Sequence, residues 1–412
     1  MKWCKRRAIV IATVKLKNKT VQYHWTFQFL MINTLTVSPC RSHASVTEAQ
    51  NLPLPGGSLY PLKCLFLEKN YRMRSKFAIA ALALFLLTAC NKDKEILNTL
   101  NEYNLQMEST GYHFGDQLQL PAEVMENASE VTISFGDKET SELVVDPNFF
   151  TLGDNAVTFN IKKKNGEVLN QDATINVFAK NPEKQFAYTV VAEYPHDVAN
   201  FVQGFQLEGN MIYESDGQNG SSKILKYPLG STAPVASTDQ PADVFSEGST
   251  IIGDKVYQLT WQNKKGFIYD KATLKLLGEF PYPNVMGEGW GLTYDGKNLI
   301  ASDGTKNLYF LDASDPSKLV RYVAVAGNKS AYDRLNELEY HDGYVYANVW
   351  QKPIILQINP KTGEVTGKFD FTEIAKKHTT GDDDVLNGIA FKGNNMLITG
   401  KNWPKIYEIA VK

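Results

Sequence analysis

One arrangement of polar and apolar positions recurs through the second half of the chain. At Glu247 it reads EGSTIIGDKVYQLTW: a polar leader and a glycine, a short apolar run, a Gly253-Asp254 pair, a second apolar run, then Trp261. Two β-rich runs about a Gly-Asp pair predict a hairpin. The first residue of one strand and the last of the next then lie at the same end, so Glu247 and Trp261 are expected side by side. The arrangement returns as QGFQLEGNMIYESDG from Gln203, EGWGLTYDGKNLIASDG from Glu288, NELEYHDGYVYANVW from Asn336 and NGIAFKGNNMLITGK from Asn387, with leaders 44, 41, 48 and 51 positions apart. A strand-rich unit at this period predicts a repeat architecture, and five repeats of about 45 residues need about 225. Phe186 to Lys412 supplies 227.

The count predicts a five-bladed β-propeller over residues 186–412, its innermost strands lining a central channel. Fourteen positions after their leaders stand Trp261, Ser302, Trp350 and Lys401, and for Gln203 the position is Gly217, after Asp216. By the hairpin argument leaders and followers meet at one mouth of the channel. FAYTVVAEY (186–194) belongs to no repeat, and KIYEIAVK (405–412) ends the chain. The first is expected to complete the last blade and leave no open edge.

Ahead of the repeats, EVTISF (130–135), SELVVD (141–146), AVTFNI (156–161) and ATINVFA (173–179) alternate between Gly-Asp and Asn-Gly turns. Residues 111–182 are thus expected to form a small immunoglobulin-like β-sandwich, which makes the fold class all-β. The polar stretch 91–110 reads as a tether. Met73 to Cys90, MRSKFAIAALALFLLTAC, has a basic start, an apolar core of eleven residues from Phe77 to Leu87 and a small-residue end. That core is short of the ~20 residues a spanning helix needs, so 73–90 reads as a signal peptide. Its Leu-Thr-Ala-Cys ending resembles the lipobox of bacterial lipoproteins. The resemblance implies a lipid on Cys90 and a place in the bacterial cell envelope, at the periplasmic face or on the surface of the outer membrane. Since a signal peptide begins at a true N-terminus, residues 1–72 are expected to be a mis-extended, unstructured reading frame.

Composition narrows the chemistry. Hydrophobic residues make up 43% and charged residues 21%, an ordinary globular balance. A net charge of −2 argues against a nucleic-acid partner. None of the four cysteines follows Cys90, so the folded part has no disulfide framework. The six histidines show no metal-ligand spacing, and no metal or cofactor is expected. The mouth would instead gather Gln203, Glu247, Glu288, Asn336 and Asn387 with Trp261, Trp290, Trp350 and Lys401. Taken singly, the tryptophans could fill the taper between blades and the lysine could face solvent. Their convergence in one register favours a site, either catalytic or a lipid-anchored cup that binds peptides or sugars.

YPHDVANFVQGF, EGST…YQLTW, GEGWGLTYDGKNLIASDGT, LNELEY…VYANVW and LNGIA…TGKNWPKIYEI resemble the plant and bacterial glutaminyl-peptide cyclotransferases from Tyr194 to Ile409. That family is a five-bladed propeller. The resemblance implies cyclisation of N-terminal glutamine on peptides or proteins to pyroglutamate, with release of ammonia. It implies Glu247 as acid/base shuttle, with Glu288 as the rival in the same register. Asn336 and Lys401 would hold the substrate and polarise its amide, Trp261, Trp290 and Trp350 would wall the pocket and offer indole N–H donors, and Phe201 and Gln203 would touch the substrate.

Overall fold

The computed structural model describes residues 94–106 and 111–412, all within one compact unit. Residues 1–72, the signal peptide and Cys90 lie outside the described residues.

Among the described residues, five antiparallel sheets follow one another along the chain from Val202. In the second, Ser246–Ile252, Lys255–Thr260, Lys265–Asp270 and Leu276–Pro281 run in simple up-and-down order. The innermost strands of the five are Val202–Glu208, Ser246–Ile252, Leu292–Tyr294, Leu335–His341 and Leu386–Lys392. Each packs on the next, and the fifth packs back on the first, which closes the ring of five blades. Tyr188–Pro195 pairs antiparallel with Lys405–Val411 as the outer strand of the fifth blade. The edge left by the last hairpin is thereby covered from the far end of the domain. The two-residue strand Lys184–Gln185 adds parallel to the outer edge of the fourth blade.

Five inner strands meet round a narrow axis, and this explains the glycine after the leader. A Cβ on Gly248 would fall 2.4 Å from the Leu292 nitrogen, and one on Gly204 would fall 2.4 Å from the Ser249 nitrogen. In the third blade the glycine so crowded is Gly291, three after Glu288, where a Cβ would fall 1.9 Å from the Asn336 carbonyl oxygen. In the fourth blade the glycine is replaced by Glu337, which is fully buried and accepts from the Phe205 N–H at 3.3 Å. In four blades the ladder slips at the leader: between Val202 and Gly204, Ser246 and Ser249, Leu335 and Leu338, and Leu386 and Ile389. A bulge re-aims the side chain it carries. Here it repeats at the positions of Gln203, Glu247, Asn336 and Asn387.

The small domain differs from a two-sheet sandwich. Its one sheet runs Tyr112–His113, Val168–Phe178, Gly153–Lys163, Ala128–Phe135 and Lys138–Thr140. SELVVD forms only a single bridge, Gln117 to Val144, flanked by a bond from the Leu118 N–H to the Leu143 carbonyl at 2.8 Å. Pro121 and Pro147 cut both segments short, since proline cannot extend a ladder. Residues 94–106, read above as a tether, are helical. Ile96 and Leu100 are buried in the small domain's core and Tyr103 packs against it. Asn104 donates to the Asp172 carbonyl at 2.8 Å. Three apolar side chains at helical spacing suffice to dock this helical segment although most of its residues are polar.

The small domain is also fastened to the propeller. Ala324 and Ala326 complete its core, Lys306 pairs with Asp154 at 2.6 Å, and Asn328 donates to the Ala179 and Lys180 carbonyls, each at 3.0 Å.

Candidate active site

The Ser246–Thr260 pairing puts Glu247 and Trp261 at one end of their hairpin, and the same holds in the first, fourth and fifth blades. In the third the register is shifted by two, so Trp290 and not Glu288 stands at the leader position and Ser302 is buried beneath the mouth. At this mouth the aromatic and polar groups form a connected band. Lys401 Nζ lies 4.6 Å from the centre of the Phe201 ring. Phe201 meets Phe245 edge-on at 6.2 Å, and Phe245 meets Trp261 at 5.7 Å. Trp261 and Trp290 both donate their indole N–H to one oxygen of Glu288, at 2.6 and 2.9 Å, and Gln262 donates to the other at 3.0 Å. Trp290 in turn meets Trp350 edge-on at 5.8 Å. Two of the three indole N–H groups expected to face a ligand are thus committed to Glu288.

On the other side of the mouth, Asn387 donates to the Val202 carbonyl at 2.9 Å and to Gln203 Oε1 at 3.1 Å. This joins the last blade to the first and fixes the amide, leaving Asn387 Oδ1 buried without a donor among the described residues. Asn336 Oδ1 is likewise buried and unbonded, while its main-chain carbonyl accepts from Ser302 Oγ at 2.8 Å. Buried acceptors of this kind are costly unless something satisfies them.

The two glutamates differ in state. Glu247 is buried, and desolvation pushes its carboxyl up to about 8, against the attraction of Lys401 and with the repulsion of Glu288. Its main-chain carbonyl is pinned by Ser215 Oγ of the preceding blade. For Glu288 desolvation also acts upward, but the donors Gln262, Trp290 and Trp261 outweigh it and hold the group below the usual carboxylate range. Lys401 is buried too, and desolvation brings its ammonium down to about 8 although Glu247 and Asp383 favour its charge. Glu247 and Lys401 therefore titrate in one range and feel each other across the mouth.

Two features here escape the sequence reading. Phe245 stands two positions before Glu247 as Phe201 stands two before Gln203, a register that was visible. The other is a buried cluster behind Lys401. His196 bonds the Trp403 carbonyl through Nδ1 at 2.7 Å and Glu214 through Nε2 at 3.0 Å, and Tyr227 also donates to Glu214. Desolvation works against the charge on His196, yet the Glu214 carboxylate raises its pKa overall. The cluster ties the segment leading to Phe201 to the turn after Lys401. Trp403 itself is fully buried and donates to the Asp384 carbonyl, so it belongs to the core and not to the wall. Among the described residues no cluster of histidine, cysteine, aspartate or glutamate is placed to hold a metal.

Comparison with known proteins agrees with this geometry. The description "Glutamine cyclotransferase" fits residues 165–411. The chain belongs to the glutamine cyclotransferase family. The Arabidopsis thaliana protein named glutaminyl-peptide cyclotransferase is 37% identical over 229 residues, which cover 54% of this chain and 71% of the relative. The crystal structure of a Myxococcus xanthus glutaminyl cyclase is 31% identical with a TM-score of 0.52, covering 56% of this chain and 98% of that one. The family match takes in the propeller and only the final strand region of the small domain.

Proposed function

We propose that this protein is a glutaminyl-peptide cyclotransferase that converts N-terminal glutamine of peptides and proteins to pyroglutamate and releases ammonia. The α-amine nitrogen attacks the side-chain amide carbon, a ring C–N bond forms, and the bond to the amide nitrogen breaks. Because attack is intramolecular, holding the side chain in the ring-closing conformer removes much of the barrier. What remains is to move a proton from the attacking nitrogen to the leaving one and to stabilise the oxyanion, and neither step requires a metal.

The observation that carries this reading is the pair Glu247 and Lys401, both buried at one mouth and both brought to about 8. A carboxyl with that affinity accepts the amine proton and returns it to departing ammonia near neutral pH. Lys401 and Asn336 face the carbonyl and its oxyanion. Glu288, kept ionised by its three donors, braces Trp261 and Trp290 as the wall and is a poor proton carrier.

The test is ammonia release from glutamine-leading peptides by wild type, Glu247→Gln and Glu288→Gln together. Glu247→Gln is expected to lose ~10²–10⁴-fold in turnover with an unchanged melting temperature at pH 6, and a chelator should leave the wild type active. Turnover by Glu247→Gln near the wild-type rate would assign the shuttle elsewhere.

We further infer from Leu87-Thr88-Ala89-Cys90 that the chain is held in the bacterial cell envelope by lipid on Cys90. Fatty-acid labelling of the expressed protein, lost in Cys90→Ser, is the expected result, and an unlabelled wild type would refute it.

A further inference from the structure

The position two before the leader is a wall position of the mouth in the first, second and fourth blades. It holds Phe201, Phe245 and Arg334 there and Val385 in the fifth blade, whereas Met286 of the third is buried in the core. The register is the same in the backbone: Gly217, Trp261, Trp350 and Lys401 each donate an N–H to the carbonyl of Phe201, Phe245, Arg334 and Val385 respectively, all at 2.9 Å. In the second blade the side chain at this position packs on the tryptophan of its own blade, Phe245 on Trp261 at 5.7 Å. In the fourth it does likewise, the Arg334 guanidinium lying 5.6 Å from the centre of the Trp350 ring. An arginine thus stands where an aromatic wall residue stands elsewhere.

Its placement is fixed. Arg334 and Gln351 both adopt left-handed backbone, at φ values of 60° and 61°, and Arg334 Nη1 donates to Gln351 Oε1 at 3.0 Å. Non-glycine residues held this way are uncommon and gather at functional sites. The Arg334 N–H is tied to the Gly304 carbonyl at 2.9 Å. Two residues upstream, Tyr332 donates to Glu183 at 3.1 Å, where the chain passes from small domain to propeller. Of the five N–H donors on a guanidinium, only the one to Gln351 is engaged among the described residues, and the side chain is exposed and free of any ion pair. A planar donor fork beside the mouth, braced on an indole and left open to solvent, matches a carboxylate.

We propose that Arg334 binds a carboxylate on the substrate chain just beyond the N-terminal glutamine. The group is either the side chain of a following acidic residue or the free C-terminus of a very short peptide. This rests on the reaction proposed above and adds the property of the substrate that the mouth selects.

The test compares kcat/KM for Gln-Glu-amide, Gln-Ala-amide and Gln-Lys-amide in wild type, Arg334→Lys, Arg334→Ala and Arg334→Glu. The wild type is expected to rank them in that order, with a span on the order of tenfold carried by KM. Arg334→Lys should keep part of the ranking, Arg334→Ala should lose it and Arg334→Glu should reverse it. Gln-Ala with a free C-terminus separates the two sources: turnover like that of Gln-Glu-amide assigns the carboxylate to the chain end, turnover like that of Gln-Ala-amide to the side chain. Equal turnover of the three amides by wild type, or a ranking that survives Arg334→Ala, would overturn this inference alone. No ammonia from any peptide would overturn the reaction and the inference together.

Discussion

Glu247 and Lys401 set each other's charge, and the proposed chemistry makes that measurable. Attack by the amine needs a proton acceptor, so turnover should rise as Glu247 ionises, around pH 8. It should fall as Lys401 loses its proton in the same range, giving a narrow bell whose limbs belong to the pair. Lys401→Met removes the charge that draws the Glu247 pKa down, so the rising limb should move to higher pH and the falling limb should lose the part that Lys401 sets. The rate at the optimum should drop by ~10²–10³-fold through loss of oxyanion stabilisation. The substrate amine titrates nearby, at about 7.7–8.0, but the variant does not touch it, so the displacement of the limb reports Glu247. A limb that stays in place in Lys401→Met would break the link between the two residues. Which groups meet at the mouth was readable in the sequence because the repeat fixes their register. The states of Glu247 and Glu288 were not, since both begin an Glu-Gly pair. Only the folded chain shows three donors on Glu288 and, among the described residues, none on the Glu247 carboxylate.

The elements divide in the same way between what local pattern carries and what tertiary contact adds. Five hairpins were legible because each has a Gly- or Asn-containing turn between runs of strand-forming residues, and closure by 186–194 followed from an unmatched strand at each end of the domain. The bulge that turns four of the leaders into the mouth was not legible. It comes from the crowding of inner strands, where a Cβ on Gly291 would meet the Asn336 carbonyl, and no single repeat contains that contact. The helix over 94–106 was missed for the opposite reason. Its inward face is only Ile96, Leu100 and Tyr103 with Asn104, too thin a stripe to stand out among charged neighbours until the small domain supplies the surface beneath it. Arg334 stands between these cases. Its register matched Phe201 and Phe245, but its chemistry did not, and only the cation–π contact with Trp350 shows that it continues the wall.

At the scale of the ring, the axis holds a conflict that pH should expose. Glu337 and Glu339 on one inner strand are both buried, and desolvation raises each far above an ordinary glutamate, with Glu339 adding repulsion at Glu337. The Phe205 and Ile389 N–H groups pull the other way at Glu337 but do not compensate. In the unfolded chain the same side chains ionise near 4.5. Between that value and the raised one, the folded protein binds more protons than the unfolded, so stability must fall as pH rises. The contribution is intact below the unfolded pKa and lost as pH climbs through the folded one. Glu337→Gln keeps an acceptor for the Phe205 N–H and removes the charge that alkaline pH would force onto the axis. Its melting temperature is therefore expected to lie close to that of the wild type at pH 5 and above it at pH 9, the gap widening steadily between. Calorimetry on the two proteins over that range decides it, and a gap that stays constant or closes with rising pH would mean that Glu337 is not a protonated strut at the centre of the ring. Because five inner strands lean on this axis and the mouth stands directly on those strands, the same titration should soften the frame of Glu247 and Asn336 at high pH. The alkaline fall in turnover should accordingly be less steep in Glu337→Gln than in wild type.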